Sequence, residues 1–110
     1  ELEYFETFYA ALKPRGILGV VEHRALAGSS MEIMETTGYV TEAYVIEIAA
    51  KAGFEFVASS EINANPNDLT DYPAGVWTLP PSYRLGDDDR DKYTAIGESD
   101  RMTLKFRKPE

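Results

Sequence analysis

The chain has 110 residues, of which 44% are hydrophobic and 12% aromatic, enough for one small domain with a core and too many for extensive disorder. Its 19 acidic and 11 basic residues give a net charge of -8, which repels a phosphate backbone and argues against nucleic acid as a partner. Cysteine is absent, which excludes disulfides, thiolate metal sites and a cysteine nucleophile. No apolar run approaches the roughly 20 residues of a membrane helix, so we expect no membrane partner and take the cytoplasm as the default location.

The first quarter of the chain predicts a helix, a strand and a loop. Residues 1–16 place apolar side chains at helical spacing, and Pro14 and Gly16 end this amphipathic helix. The segment "ILGVV" at 17–21 is a continuous apolar run with β-branched residues, which is typical of a strand buried on both faces of a sheet. Residues 25–40 carry mixed signals and predict a loop, with a short helical turn as the alternative.

A second helix and a second strand follow. Thr41 is a suitable N-cap, and Gly53 stands where helices commonly end. The segment "FEFVASSEI" at 54–62 alternates loosely and predicts a strand. Strands joined by a helix normally run parallel with a right-handed crossover, so the order helix, strand, helix, strand predicts the α/β class.

The rest of the chain is less regular. Residues 63–100 hold most of the prolines without a sustained period, and such a long irregular segment in a small domain is often functional. A short helix is predicted from about Asp88 to Ala95, with acidic residues in its first turn. Alternating apolar and polar residues at 102–107 predict a final strand with one solvated face.

The order of these segments resembles the C-terminal half of a class I S-adenosylmethionine-dependent methyltransferase. The resemblance rests on "LKPRGILGVVEH", "AAKAGFEFV" and "MTLKFRKP", and "VVEHRA", "NPND" and "DRMTLKFRKP" resemble a group of bacterial predicted methyltransferases. It implies that residues 1–110 form a single partial domain, half of a Rossmann-like fold. The implied sheet is small and mixed, with the last strand between the other two and antiparallel to both.

The resemblance also implies what this chain lacks. In that family S-adenosylmethionine is held mainly by a glycine-rich loop after one strand and by an acid after the next, and neither element is present here. The glycines of "GILG" lie before and inside a strand. We therefore expect a full-length parent to use S-adenosylmethionine, and this chain to contain no cofactor-binding residues and to bind the cofactor weakly or not at all.

Candidate site residues lie where the first two strands end, because ligands of open α/β sheets bind beyond the carboxyl ends of the strands. His23 is the candidate catalytic residue, since an imidazole titrates near neutral pH and can accept a proton from a nucleophile. A hydrogen-bonding loop histidine is the alternative. The resemblance implies that a small-molecule methyl acceptor is bordered by six further residues, which are Glu22, Arg24, Tyr39, Asn65, Asp68 and Trp77.

Several of these residues have structural alternatives. Glu22 can pair with Arg24 or accept backbone hydrogen bonds at the start of the next helix. Trp77 can close over an acceptor or pack in the core. The acidic segment "GDDDRD" at 86–91 lacks the alternating spacing of a calcium loop and predicts a solvated helix start, so we expect no metal site.

Two functions remain open at this point. The chain is either a methyltransferase fragment that contributes the acceptor side of the cleft and is inactive alone, or a non-enzymatic self-association or interaction module derived from the half-fold. Without a neighbouring strand, the apolar strand at 17–21 would expose an edge, so we expect a homodimer or larger homo-oligomer. The methyl acceptor and the atom that receives the methyl group are not specified by the sequence.

Overall fold

The computed structural model of the chain describes residues 2–109, which form four α-helices, a 3₁₀ helix and three strands. The helices are α1 Leu2–Ala11, α2 Met31–Thr37, α3 Glu42–Ala52 and α4 Arg90–Ile96. The strands are β1 Ile17–His23, β2 Glu55–Ser60 and β3 Arg101–Arg107. Across the described residues, no helix is both long and apolar enough to span a membrane.

The three strands form one sheet in the order β1, β3, β2. β3 is antiparallel to both neighbours, so β1 and β2 run parallel to each other. The register of β1 with β3 runs from Ile17 opposite Arg107 to His23 opposite Arg101. This topology confirms the predicted α/β class and the predicted position of the C-terminal strand.

The caps of α3 agree with the sequence, whereas α2 replaces a predicted loop. The Thr41 side chain accepts a hydrogen bond from the backbone of Tyr44, and Gly53 ends the helix in a left-handed conformation. In the segment 25–40, Ser30 and Gly38 cap the seven-residue helix α2 in the same way. The sequence predicts a loop here because residues 25–40 carry mixed signals without a clear apolar stripe.

Helices α1 and α3 lie on the same face of the sheet. The core beneath them contains Val45 and Ala49 of α3 and three alternate residues of β3, namely Met102, Leu104 and Phe106. Leu18 and Val20 of β1 pack against the same cluster. Near the chain end, Lys108 Nζ donates to the carbonyl oxygens of Tyr9 and Leu12 at 2.8 Å each, which satisfies carbonyls at the end of α1.

β1 is covered on one face only, so the expectation of a strand buried on both faces is corrected. Ile17 and Val21 project from the uncovered face and keep 49% and 53% of their area exposed. The apolar run does not distinguish one buried face from two, and within residues 2–109 no helix packs on this face. Gly19 lies between these two residues, and a Cβ atom added to it would meet nothing within 4 Å.

The long irregular segment at 63–100 packs against residues 25–39, which include α2. It contains the 3₁₀ helix Gly75–Thr78 and α4, which begins two residues later than predicted. Val76 is buried with Ala25 and Tyr39 in a second apolar cluster. Gly75 has a φ of +59°, and a Cβ atom there would lie 2.5 Å from the carbonyl oxygen of Thr37, so the contact with α2 requires glycine.

Candidate functional site

The candidate site lies at the end of β1, where the chain is tied to the segment before α3. Val40 N donates to the His23 carbonyl at 2.9 Å, and Ala25 N donates to the Val40 carbonyl at 2.7 Å. This short parallel bridge between Arg24 and Val40 places the carboxyl end of β1 beside the start of α3.

Arg24 is surrounded by three carboxylates. Its Nε and Nη2 donate to the two oxygens of Asp100 at 2.9 and 2.8 Å, and its Nη1 donates to Glu42 and Glu61 at 2.7 Å each. The bonds to Asp100 and Glu61 raise the pKa of Arg24, and the bond from Arg24 lowers the pKa of Asp100. The Arg24 guanidinium therefore links the end of β1 to α3, to the residue after β2 and to the residue before β3.

Tyr39 and Asp68 form a buried pair. The Tyr39 hydroxyl donates to the Asp68 carboxylate at 2.9 and 3.1 Å, and the two residues are only 1% and 8% exposed. Asp68 also accepts hydrogen bonds from the backbone of Asp100 and Thr70, at 2.8 Å each. Burial, followed by the bond to Asp68, raises the pKa of Tyr39, so its phenol is protonated at neutral pH.

Asn65 completes this network. Its backbone N–H donates to Asp100 at 2.9 Å, and its side-chain amide donates to the carbonyls of Ile96 and Glu98 at 2.7 Å each. Arg24, Tyr39, Asn65 and Asp68 lie together at one end of the sheet, and their polar atoms bind other parts of the chain. Tyr39 and Asp68 are buried, and the predicted contact of these residues with a methyl acceptor stays a prediction.

Glu22 follows neither structural alternative. Its Oε1 accepts a hydrogen bond from the backbone N–H of its neighbour His23 at 2.9 Å, while Arg24 binds other carboxylates. Glu22 also borders an apolar groove of about 480 Å³ between α1, β1 and α3. A contact between Glu22 and a substrate stays a prediction.

His23 and Trp77 line one cavity of about 280 Å³ at the end of β1. His23 Nδ1 is 2.5 Å from the hydroxyl oxygen of Ser99, which is only 5% exposed. Trp77 lies in the 3₁₀ helix with 38% of its area exposed, so it is neither a core residue nor fully solvated. Pro80 and Pro81 form part of the same wall.

The environment of His23 favours a neutral imidazole. Burial is the main cause that lowers its pKa below the usual 6.5, and the positive charge of Arg101 acts in the same direction. The negative charges of Glu22 and Asp68 oppose this shift. Arg101 is the residue opposite His23 in the strand register, so its proximity follows from the pairing of β1 with β3.

Ser99, Asp100 and Arg101 were missed as site residues in the sequence. They form the segment "SDR" that leads into β3. The signal was available, because a final strand antiparallel to β1 must begin where β1 ends. Residues just before that strand therefore had to lie beside Glu22, His23 and Arg24.

The acidic segment shows no sign of a metal site. Asp87, Asp88 and Asp89 are exposed, and within 2–109 no group of three or more histidine or acidic residues is arranged to hold a metal ion. Asp89 caps α4 by position, without a side-chain hydrogen bond. The segment is a solvated helix start, as predicted.

The described residues do not fit S-adenosylmethionine. Gly16 precedes β1 and Gly19 lies inside it, so neither forms a glycine-rich turn between a strand and a helix. Glu61, the acid that follows β2, is an ion-pair partner of Arg24 at 2.7 Å. Within residues 2–109, neither feature that the resemblance associates with S-adenosylmethionine is therefore present.

Comparison with known proteins supports the fold alone. The crystal structure of the [4+2]-cyclase SpnF is similar over 98% of this chain, with a TM-score of 0.56 and 20% sequence identity. That structure has a methyltransferase-like fold, and the chain spans only 44% of its length. No protein-family model matches the sequence, and no curated protein sequence matches it.

Proposed function

We propose that this chain forms the acceptor side of a methyltransferase-type cleft and holds a small-molecule methyl acceptor beside His23. The observation that carries the proposal is the cavity at the carboxyl end of β1, where His23 is held by buried Ser99 and faces Trp77. This is the edge at which α/β sheets bind ligands. The methyltransferase-like fold of the similar structure supports the same assignment.

The role of His23 follows from its two ring nitrogens. Nδ1 is close to Ser99, whereas Nε2 makes no hydrogen bond within residues 2–109. When Nδ1–H donates to the Ser99 hydroxyl, Nε2 carries the lone pair and can accept a proton from an acceptor hydroxyl or amine. The lowered pKa keeps the imidazole in this neutral, proton-accepting form at pH 7.

The methyl donor belongs to the parent protein in this proposal. Because the described residues do not fit S-adenosylmethionine, we expect the isolated chain to bind it weakly or not at all and to be inactive alone. Isothermal titration calorimetry of the isolated chain tests this expectation. Tight binding with one S-adenosylmethionine per chain would contradict it.

The experiment that tests the function uses the complete protein that contains these residues. Methyl transfer from labelled S-adenosylmethionine is measured against small hydroxyl- and amine-bearing acceptors. Loss of a general base lowers rates by about 10²-fold or more, so His23→Gln should reduce turnover by that factor. Glu47→Gln, on the exposed side of α3, is the control and should leave turnover unchanged.

Two results would count against the proposal. Equal turnover in wild type and His23→Gln would remove His23 from the mechanism. A complete reading frame without a strand and glycine-rich loop upstream of these residues would remove the methyltransferase assignment itself.

A second candidate function is self-association, and the exposed edge of β1 favours it. Arg24 N donates to Asp100 on the β3 side, and Gly16 accepts from Lys108 on that side. Backbone groups alternate along a strand, so those of Ile17, Gly19 and Val21 point to the opposite edge. Within residues 2–109 no strand pairs with that edge between Ile17 and Val21.

In this second proposal, the strand that pairs with the open edge of β1 comes from another copy of the chain. The segment Ile17–Val21 carries no charged side chain, so two copies can pair there without burying like charges. Gly19 at its centre has no neighbour that requires glycine, and glycine inside a strand often marks the close approach of another backbone. Antiparallel pairing of two β1 strands about Gly19 would give a symmetric dimer.

A further inference from the structure

The residues that line the cavity beside His23 also restrict the size and the chemical class of the ligand that it can bind. Ligand pockets are commonly about 300–1,000 Å³, so a volume of about 280 Å³ suits a small molecule. The question is then which chemical groups on a small molecule match the walls.

One wall is flat and apolar. The Trp77 ring is partly exposed, and Pro80 and Pro81 border the same space. Arg84 lies 5.9 Å from the centre of the Trp77 ring. Flat aromatic and proline surfaces pack best against a planar ring, because such contacts bury area without distorting either partner.

The charged groups of the cavity neutralise each other. Arg101 Nη2 donates to Glu98 at 2.6 Å, and both residues border the cavity. His23 is the third titratable group on the wall, and burial keeps it neutral. Because this pair has no net charge, the walls provide no opposite charge to compensate a charged ligand, so they favour a neutral one.

The polar end of the cavity includes the ring of His23 and the hydroxyl groups of Ser82 and Ser99. Ser99 binds Nδ1 of His23, which leaves Nε2 as the ring nitrogen available to a ligand. A hydroxyl group can donate to Nε2 or accept from it, depending on the tautomer. A ligand without a polar hydrogen or lone pair would leave this nitrogen unpaired, which costs binding free energy.

We propose that this cavity binds a small, neutral, hydroxyl-bearing planar ring, with the ring against Trp77 and the hydroxyl on Nε2 of His23. The inference rests on the proposed function only in identifying this ligand as the methyl acceptor. Binding itself requires no methyl donor. It can therefore be measured on the isolated chain.

The chain provides two unique reporters for such a measurement, since it contains one tryptophan and one histidine. Trp77 fluorescence and the NMR resonances of the His23 ring are followed while 4-methylphenol is added near pH 7.5. Toluene serves as the probe without a hydroxyl, and 4-methylbenzoate as the charged probe. 4-Methylphenol should give saturable changes at both reporters, with affinity about tenfold tighter than either comparison probe, as expected for one net hydrogen bond or one avoided charge.

Two variants separate the ring contact from the hydroxyl contact. His23→Gln should weaken 4-methylphenol binding about tenfold, with little effect on toluene. Trp77→Leu should weaken both probes, as read from the His23 resonances, and its exposed position makes it the variant that keeps its fold if His23→Gln does not. Circular dichroism checks the fold of each variant.

Two binding results would overturn the inference. One is equal affinity for 4-methylphenol and toluene. The other is binding that changes signals from the apolar groove but not from His23 and Trp77. The proposed function fails separately: binding without methyl transfer in the complete protein would refute the function and leave the inference standing. Methyl transfer only to charged or ring-free acceptors would refute the inference and leave the proposed function standing.

Discussion

Arg24 and Asp100 form a two-bond ion pair that fastens the end of β1 to the residue before β3. Their side chains are 17% and 19% exposed, so solvent screens the pair only in part. Asp100→Asn should lower the free energy of unfolding by about 2–3 kcal/mol, below the loss of about 3–5 kcal/mol that follows when a fully buried pair is broken. Urea unfolding followed by circular dichroism measures this difference.

Glu61 provides a matched control on the same guanidinium. It binds Arg24 at 2.7 Å, but its side chain is 71% exposed. Exposed ion pairs contribute about 0–1 kcal/mol, so Glu61→Gln should have a small effect. Equal losses in the two variants would show that burial does not set the strength of this network.

The Tyr39–Asp68 contact gives a second prediction. Tyr39→Phe removes the hydroxyl and leaves a buried carboxylate with one fewer donor, which should cost about 1–2 kcal/mol of unfolding free energy. Tyr4→Phe is the control, because Tyr4 is 68% exposed, and it should stay within about 0.5 kcal/mol of wild type. A neutral Tyr39→Phe variant would mean that solvent reaches Asp68.

The pH dependence of stability should report on His23. Its pKa in the folded state is lowered by burial, so the unfolded state binds a proton at a higher pH than the folded state does. The stability that depends on this group is therefore present above pH 6.5 and is lost as the pH falls towards the folded-state pKa.

Because the chain contains one histidine, the effect of His23 on stability can be separated from the effects of the carboxylates, which occur at lower pH. Asp100 also has a lowered pKa, but its contribution is present above its ordinary pKa of 3.8 and is lost at still lower pH. Between pH 7 and 5, wild type should lose more stability than His23→Gln in parallel unfolding curves. An NMR titration of the His23 ring that gives a pKa above 6.5 would reverse the sign and contradict the prediction.

The proposed dimer predicts a position-specific effect of one charge. Val21→Lys places a cation at the open edge of β1, where it should block strand pairing and convert a dimer to a monomer in light scattering. Val57→Lys is the control on β2, since Val57 has a similar exposure of 46%, and it should leave the dimer intact. A wild-type monomer at high concentration would contradict the proposal.

Local sequence signals predicted the elements well where short-range chemistry decides the structure. The caps Thr41 and Gly53 defined α3 because each acts on the backbone of its own helix. The position of β3 came from the family resemblance, since its alternating pattern shows a strand but not its neighbours. The apolar run of β1 predicted a strand, but such a run does not state which elements will cover each of its faces.

In the candidate site, too, the sequence predicts the position of the residues better than their contacts. Topology was sufficient to group Arg24, Tyr39 and Asp68 at one end of the sheet. Their roles depend on hydrogen-bond partners that are distant in the sequence, and two of these partners, Asp68 and Asp100, lie in the irregular segment 63–100. Ser99 illustrates the difference, because a serine before a strand carries no signal by itself and is found only by placing the start of β3 beside the end of β1.

The strand order also determines when this domain can fold during synthesis. β3 lies between β1 and β2, yet the ribosome makes it after both. Until residues 101–108 emerge, β1 and β2 have no common partner, and the carbonyls of Tyr9 and Leu12 lack the ammonium group of Lys108. The three-stranded sheet can therefore be completed only after nearly all of these residues have left the ribosome.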